Sequence, residues 1–205
     1  MYRHLRYITI TATWLLSSLV WLAAGSVNAS AQQNAALVDA QWLKANINNP
    51  DVRIVDVSKK PEDFEKGHIL NALAVNRKLD LADTTVLPPN RYPHKVQFEQ
   101  LMGRLGITPN TTVVAYDDNK SMYATRLITI MQAYGHNPDK LKVLDGGWVY
   151  WGSNDYPIET GPAKMPAPSN YKATRKLQDK LVTTADIYRD VVMGARPEVM
   201  LMDAR

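Results

Sequence analysis

Three short apolar runs, Val52 to Val57 (VRIVDV), Thr112 to Tyr116 (TVVAY) and Leu141 to Leu144 (LKVL), are each separated by segments whose apolar residues recur at helical spacing. This alternation limits the chain more than any other feature. β-Branched runs of this length read as strands, and the 3.6-residue period between them reads as helix. Asp39 is placed to cap a helix carrying Trp42, Leu43 and Ile47 on one face. Phe98, Leu101, Met102 and Leu105 mark a second helix that Gly106 ends, and Leu127, Ile130, Met131 and Tyr134 mark a third. Glu62 to Gly67 is polar and turn-like, and Ala72 to Val75 is a further short apolar run. Strands alternating with helices imply a doubly wound α/β domain, its mostly parallel sheet covered by helices on both faces. It spans residues 37–157.

The flanking segments differ in kind. Arg3 and Arg6 precede an apolar stretch from Ile8 to Val27, and Ala29-Ser30-Ala31 follows as a small-x-small cleavage signal. Residues 1–31 therefore read as a secretory signal peptide, the alternative being a retained membrane anchor. Cleavage places the mature chain in the periplasm or outside the cell, with no membrane association. Residues 158–180 contain Pro162, Pro166 and Pro168 among lysines and form a linker, expected to lie over the domain with Tyr171 and Leu177 as anchors. Beyond it the chain echoes its own start. Leu181-Val182, a helix-like stretch from Ala185 to Val192, and an apolar run from Val199 to Met202 before Asp203 repeat the order of Leu37-Val38, the Trp42 helix, and Ile54-Val55 before Asp56. Residues 181–205 are thus expected to begin a second domain, truncated after its first strand. A lone helix and strand cannot bury a core, so the sequence reads as part of a longer tandem protein. The alternative is a short form whose last strand joins the first sheet.

Composition excludes several functions. Without Arg3 and Arg6 the formal charge falls from +4 to +2, and no basic stripe interleaved with aromatics is present, so nucleic acid is not an expected partner. The chain has no Cys, hence no disulfide and no thiolate for metal binding or nucleophilic attack.

The strand ending at Tyr116 runs into Asp117, Asp118, Asn119, Lys120, Ser121 and Met122 before the Leu127 helix begins. In open α/β sheets, the carboxyl end of a strand facing a helix N-terminus is where ligands and nucleophiles sit. Four segments together are similar to the rhodanese family. They are Ile54 to Val57 (IVDV), Phe64 to Ala72 (FEKGHILNA, against E-F-x-x-G-H-I-P-G-A), Val113 to Arg126 (VVAYDDNKSMYATR), and Gly135-His136 with Val143 to Trp151 (VLDGGWVYW). The resemblance covers residues 37–157 and is specifically to the N-terminal half of a tandem-domain thiosulfate or 3-mercaptopyruvate sulfurtransferase.

In that family the loop carries a Cys whose thiolate and persulfide are stabilised by backbone N–H groups at the helix N-terminus. Asp117 stands at the matching position, so the resemblance implies a degenerate loop, Asp117 to Met122, and no catalytic residue in this chain. Asp117 is expected to serve as a helix cap or as a partner of Lys120 or Arg126. The missing C-terminal portion would supply the Cys loop and the arginines that bind a small sulfur-containing substrate, without any cofactor or metal.

Plain structural roles are expected elsewhere: His68 and His136 as hydrogen-bonding groups, Asp145 as a turn and cap residue, Trp148 and Trp151 as packing, and Asp56 and Asp203 as loop anchors. Two other functions compete with the sulfurtransferase reading. One is a non-enzymatic binding or regulatory module that recognises a partner or an anion at the empty loop. The other is a metal-dependent phosphatase built on Asp117, Asn119 and Asp145, which leaves the GHI and VLDGGW segments unexplained.

Overall fold

The computed structural model describes residues 36–202, except 59, 84, 86–90 and 176–181. The signal-peptide segment, Leu177, Leu181 and Asp203 lie outside the described residues.

Five strands form one parallel sheet. They are β1 (Leu37–Val38), β2 (Val52–Asp56), β4 (Leu73–Ala74), β5 (Thr112–Tyr116) and β6 (Leu141–Leu144). Their spatial order is β1-β6-β5-β2-β4, with Val55 opposite Ala115 and Val114 opposite Lys142. The chain moves outward from β2 to β4 and then returns to the other side of β2 as β5, so the order reverses between β2 and β5. The loops leaving those two strands therefore open at the switch point of the sheet.

The pleat sends alternate residues of β5 to opposite faces. Val113 and Ala115 join Phe98, Leu101 and Met102 of α2 (Lys95–Arg104) and Leu127, Ile130 and Met131 of α3 (Met122–Ala133) in one core. Val114 and Tyr116 join Leu43 of α1 (Ala40–Asn46), Leu144 and Trp151 of α4 (Gly147–Gly152) in the other, with β1's Val38. Helices thus cover both faces, as the alternation of the sequence implies. Asp39 caps α1 through Trp42 N at 2.7 Å.

Glu62 to Gly67, expected to be a turn, lies largely within a 3-10 helix, Pro61–Lys66. It leads into β3 (His68–Ile69), which pairs antiparallel with β7 (Ile158–Glu159) in a small second sheet. That pairing draws the first linker residues into the domain. Nothing in the local pattern of Ile158-Glu159 announces a strand; the partner edge supplied by β3 makes it one.

The linker is anchored through Tyr171, as expected, and more deeply than a surface crossing requires. Tyr171 and Ala173 are buried with the α2 and α3 core. Gly135 has φ +91°, and a Cβ there would lie 2.1 Å from Thr174 Oγ1, so the glycine after α3 provides the space the linker crosses.

Thr183 and Asp186 form a capping box for α5 (Thr184–Ile187), which continues as a wide helical turn over Tyr188–Val192. Val199 to Met202 is not a strand, and Met200 and Met202 are each 82% exposed. An apolar run becomes a strand only against a partner edge, and among the described residues this one has none, in a second sheet or in the first.

Candidate functional site

The loop between β5 and α3 is built around its first residue. Asp117 is 2% exposed. Its Oδ1 accepts from Asn119 N at 2.7 Å and Ser121 N at 2.9 Å, and its Oδ2 accepts from Tyr123 N at 2.7 Å and Ala124 N at 2.9 Å. Tyr123 and Ala124 occupy the first turn of α3, whose N–H groups have no partner within the helix. The N-cap residue usually satisfies them. Here the N-cap is Ser121, held at φ 64° with no side-chain bond to the helix, and Lys120 before it is also left-handed at φ 54°. Asp117 does the capping from upstream, and its two oxygens also hold the turn that makes the loop tight.

The other loop residues point outward. Asp118, Lys120 and Met122 are exposed, and Asn119 Nδ2 lies 3.5 Å from Met122 Sδ. The four donors to Asp117 are all backbone groups, rather than the Lys120 or Arg126 side chains expected as partners. Arg126 instead donates to the Leu81 carbonyl from Nε (3.1 Å) and Nη2 (2.8 Å), and lies over the Tyr92 ring.

A second strand end supports the loop from beside it. Asp56, at the end of β2, accepts from Ser58 N at 2.7 Å and so anchors the β2 loop. Burial pushes its carboxyl up from the usual range, against hydrogen bonds from Ser58 and Tyr116, and the charge of Asp118 adds to the rise. Tyr116 is fully buried and its hydroxyl accepts from Ile69 N at 3.3 Å. Burial, then Asp56, moves that phenol well above its ordinary range.

The segment after β6 closes over the loop. Gly147 has φ +52°, and a Cβ on it would stand 2.4 Å from the Asp117 carbonyl oxygen, which also accepts from Trp148 N at 2.9 Å. Gly147 is there because backbone meets backbone, whereas Gly146, at φ +73°, leaves room for the Tyr150 side chain. Asp145 is exposed and makes the turn, with its N–H on the Val38 carbonyl, but Gly146 rather than Asp145 holds the N-cap of α4. Trp151 is buried and donates from Nε1 to Pro157 O at 3.0 Å, whereas Trp148 is half-buried against Gly67 and Gly152.

His68 and His136 both have structural partners. His68 stacks on Phe64 at 3.7 Å and bridges Phe64 O (2.8 Å) and Glu159 Oε1 (3.3 Å), fastening β3 to β7. His136 bridges Thr111 O (3.0 Å) and the Tyr171 hydroxyl (3.1 Å). Among the described residues no group of three or more His, Asp or Glu could hold a metal ion. Asp117 has both oxygens turned to backbone donors, so the geometry gives the phosphatase reading no support.

The rhodanese-like domain family matches residues 39–154, more than half of the chain. The chain belongs to the rhodanese family. Its relatives include the "Putative thiosulfate sulfurtransferase 1" of Mycobacterium bovis, 30% identical over 170 residues, 82% of this chain and 57% of that protein. The sulfur carrier protein TtuD of Thermus thermophilus is 25% identical over 169 residues, with the same shares of the two chains. The chain thus spans a little over half the length of the curated relatives it matches. In fold it is similar to SseA of Escherichia coli, a 3-mercaptopyruvate sulfotransferase, with TM-score 0.72, 23% identity, and 83% and 66% of the two chains covered.

Within this rhodanese-like domain, the residue pattern alone missed Tyr116, Glu159, Thr111 and Tyr171 as partners of Asp56, His68 and His136. Glu159 and Tyr171 lie in the linker, and only the folded chain brings them to their histidines.

Proposed function

We propose that this chain is the non-catalytic N-terminal rhodanese domain and linker of a tandem sulfurtransferase that uses thiosulfate or 3-mercaptopyruvate. The observation that carries the reading is Asp117: at the loop position that resembles the family's persulfide site, a carboxylate takes all four backbone donors. The loop keeps the anion-favouring architecture and fills it with its own side chain. A carboxylate cannot form or pass on a persulfide, and the chain has no Cys to do so.

The remaining support is the repeat. Val38 precedes the capping residue Asp39, and Val182 precedes the capping residue Thr183. On this reading a second rhodanese domain follows and carries the Cys, the small sulfur-containing substrate is bound only with that domain present, and no cofactor or nucleic acid is involved. Export through cleavage near Ala31 is part of the same proposal, and mass spectrometry of the exported fraction tests it: an intact Met1 end in the membrane pellet defeats it. The binding-module alternative needs an open loop, and Asp117 fills this one.

The experiment is a sulfur-transfer assay to cyanide and to thiols. Residues 32–205 should show no turnover with either donor, and the gene product extended past Arg205 should be active. Turnover by the Cys-free chain would overturn the proposal, as would an extended product that carries no Cys loop.

A further inference from the structure

The linker residues that cross the domain are held by a titratable group that no part of the sulfur chemistry uses. His136 is 2% exposed and lies three residues beyond the end of α3. The Thr111 carbonyl can only accept, which assigns the imidazole proton to Nε2 and leaves Nδ1 to accept from the Tyr171 hydroxyl. Tyr171 is the main anchor of the linker: it packs edge-on against Phe98 at 5.6 Å and parallel to the His136 ring at 5.9 Å. Burial, then the charge of Glu99, pushes its phenol up to about 12, so it is a neutral donor throughout the accessible pH range.

We propose that His136 is a proton-sensitive latch, which holds residues 163–175 against the domain while neutral and releases them when the imidazole is protonated. A second proton on Nδ1 would face a hydroxyl that now donates to it. Tyr171 would have to turn its own proton away inside a closed core, and a positive charge would be left without a carboxylate partner.

The surrounding charges do not offset this. Lys140, on the 3-10 turn Pro138–Lys140, opposes a positive His136, and Thr111 at the start of β5 offers only its carbonyl. Glu99 of α2 lies beyond Tyr171 and is already engaged by Lys95, by Lys172 of the linker, and by Ala173 N. Burial, the largest influence on His136, accordingly lowers its pKa from the ordinary value.

Relief falls on the linker because it is the weaker of the two partners. Thr111 immediately precedes β5, the central strand of the sheet, and is fixed to Thr108 by its N–H (3.1 Å) and by its hydroxyl, which accepts from Thr108 N at 2.9 Å. Apart from Tyr171 and the buried Ala173, the linker is held by single hydrogen bonds, chiefly Ser169 N to Gly103 O (2.9 Å), Ser169 Oγ to Ile107 O, Ala173 N to Glu99 Oε1 (2.9 Å), Thr174 N to Tyr134 O (3.1 Å) and Thr174 Oγ1 to Gly135 O (3.2 Å), and by the exposed Lys172–Glu99 pair. Release would leave β7 paired with β3 and free about 13 residues, reaching at most ~45 Å when extended. The latch would thereby set how closely whatever follows Arg175 is tethered to the domain.

Hydrogen exchange of the full chain at pH 7.5 and pH 5, corrected for intrinsic rates, tests this. The amides of Ser169, Ala173 and Thr174 should lose protection at least fivefold on acidification, with a ceiling of about thirtyfold set by an undocked His pKa of ~6.5. Leu127 and Ile130 in α3 should stay protected. His136→Gln can make the same two hydrogen bonds without titrating, and it should abolish the pH dependence. Loss of protection in α3 alongside the linker, or the same acid sensitivity in His136→Gln, would overturn the proposal. If that variant does not fold, an NMR titration of His136 in the native chain decides: a pKa below ~6.5 supports the latch, and one at or above it defeats the idea.

Discussion

Asp117 and His136 stand just before and just after α3, equally buried, and they are satisfied in opposite ways. Asp117 collects four donors from Asn119, Ser121, Tyr123 and Ala124, all within seven residues of it. His136 takes one partner from 25 residues before it and another from 35 residues after it. The acid lies where the helix presents unpaired N–H groups and a positive dipole end. The imidazole lies at the opposite pole, which would favour a cation, yet burial works against the charge there. The helix dipole is therefore no guide to charge state once a site is closed to water; the particular donors and acceptors decide it.

The largest effect should come from closing the space above the loop. Gly147→Ala forces a Cβ onto the Asp117 carbonyl at a positive φ, where neither backbone can give way. A loss of about 3 kcal/mol or more is expected in urea unfolding. Gly135→Ala meets the end of the Thr174 side chain, on a linker that can shift, and should cost less, about 1–2 kcal/mol. Equal losses would break the contrast between a loop that is locked locally and a linker that is docked.

Next comes Asp117→Asn. It sets an NH₂ group against two backbone donors and should destabilise the chain by about 2–3 kcal/mol. Isosteric shape without loss would show that the carboxylate is not what organises the loop. Asp117→Cys tests the same cradle by charge. Its thiol should titrate below the free value of ~8.5, read from thiolate absorbance against pH rather than from alkylation because the position is 2% exposed, although the carboxylate of Asp118 limits the fall.

The pH dependence separates the two ends further. For His136 the folded pKa is lowered, so the unfolded chain binds more protons as the pH drops below ~6.5, and stability is lost there. Asp56, beside the loop, has a raised folded pKa. The folded chain therefore binds more protons between the unfolded value of 3.8 and the folded one, and stability is gained as the pH falls through that window. Thermal melts of His136→Gln and Asp56→Asn should remove the acid loss and the acid gain respectively.

The smallest effect is expected at Asn71, where the resemblance places glycine in the family's box. Asn71 has φ 65°, and its amide donates to Ile47 O at 3.0 Å and Asn48 Oδ1 at 3.2 Å. Asn71→Gly relieves the backbone and removes those bonds, with a net change within about 0.5 kcal/mol.

The sheet, its helices and the loop position could be read from the residues because each rests on local rules. VRIVDV and TVVAY show strand composition, Phe98 to Leu105 shows helical period, and Asp39 shows its cap. The loop's place, between the end of β5 and the start of α3, was also recognisable. What Asp117 does there was only partly legible. Capping a helix from upstream requires Lys120 and Ser121 to turn left-handed together, and no propensity rule demands that of a lysine and a serine.

Val199 to Met202 has the strand's composition and is unpaired among the described residues, whereas Ile158-Glu159 has little of it and forms β7. Composition supplies residues able to pair, and a free neighbouring edge decides whether they do. By itself, then, the order of residues determined the α/β architecture, the place of the loop and the lack of a thiol among these 205 residues, because period, capping and composition act over a few neighbours. Tertiary structure alone decided that Asp117 fills its own loop, that Glu159 and Tyr171 fasten the linker to His68 and His136, and that His136 is closed off from water. These depend on groups far apart in sequence, whose meeting follows from how the sheet is ordered and where its edges lie.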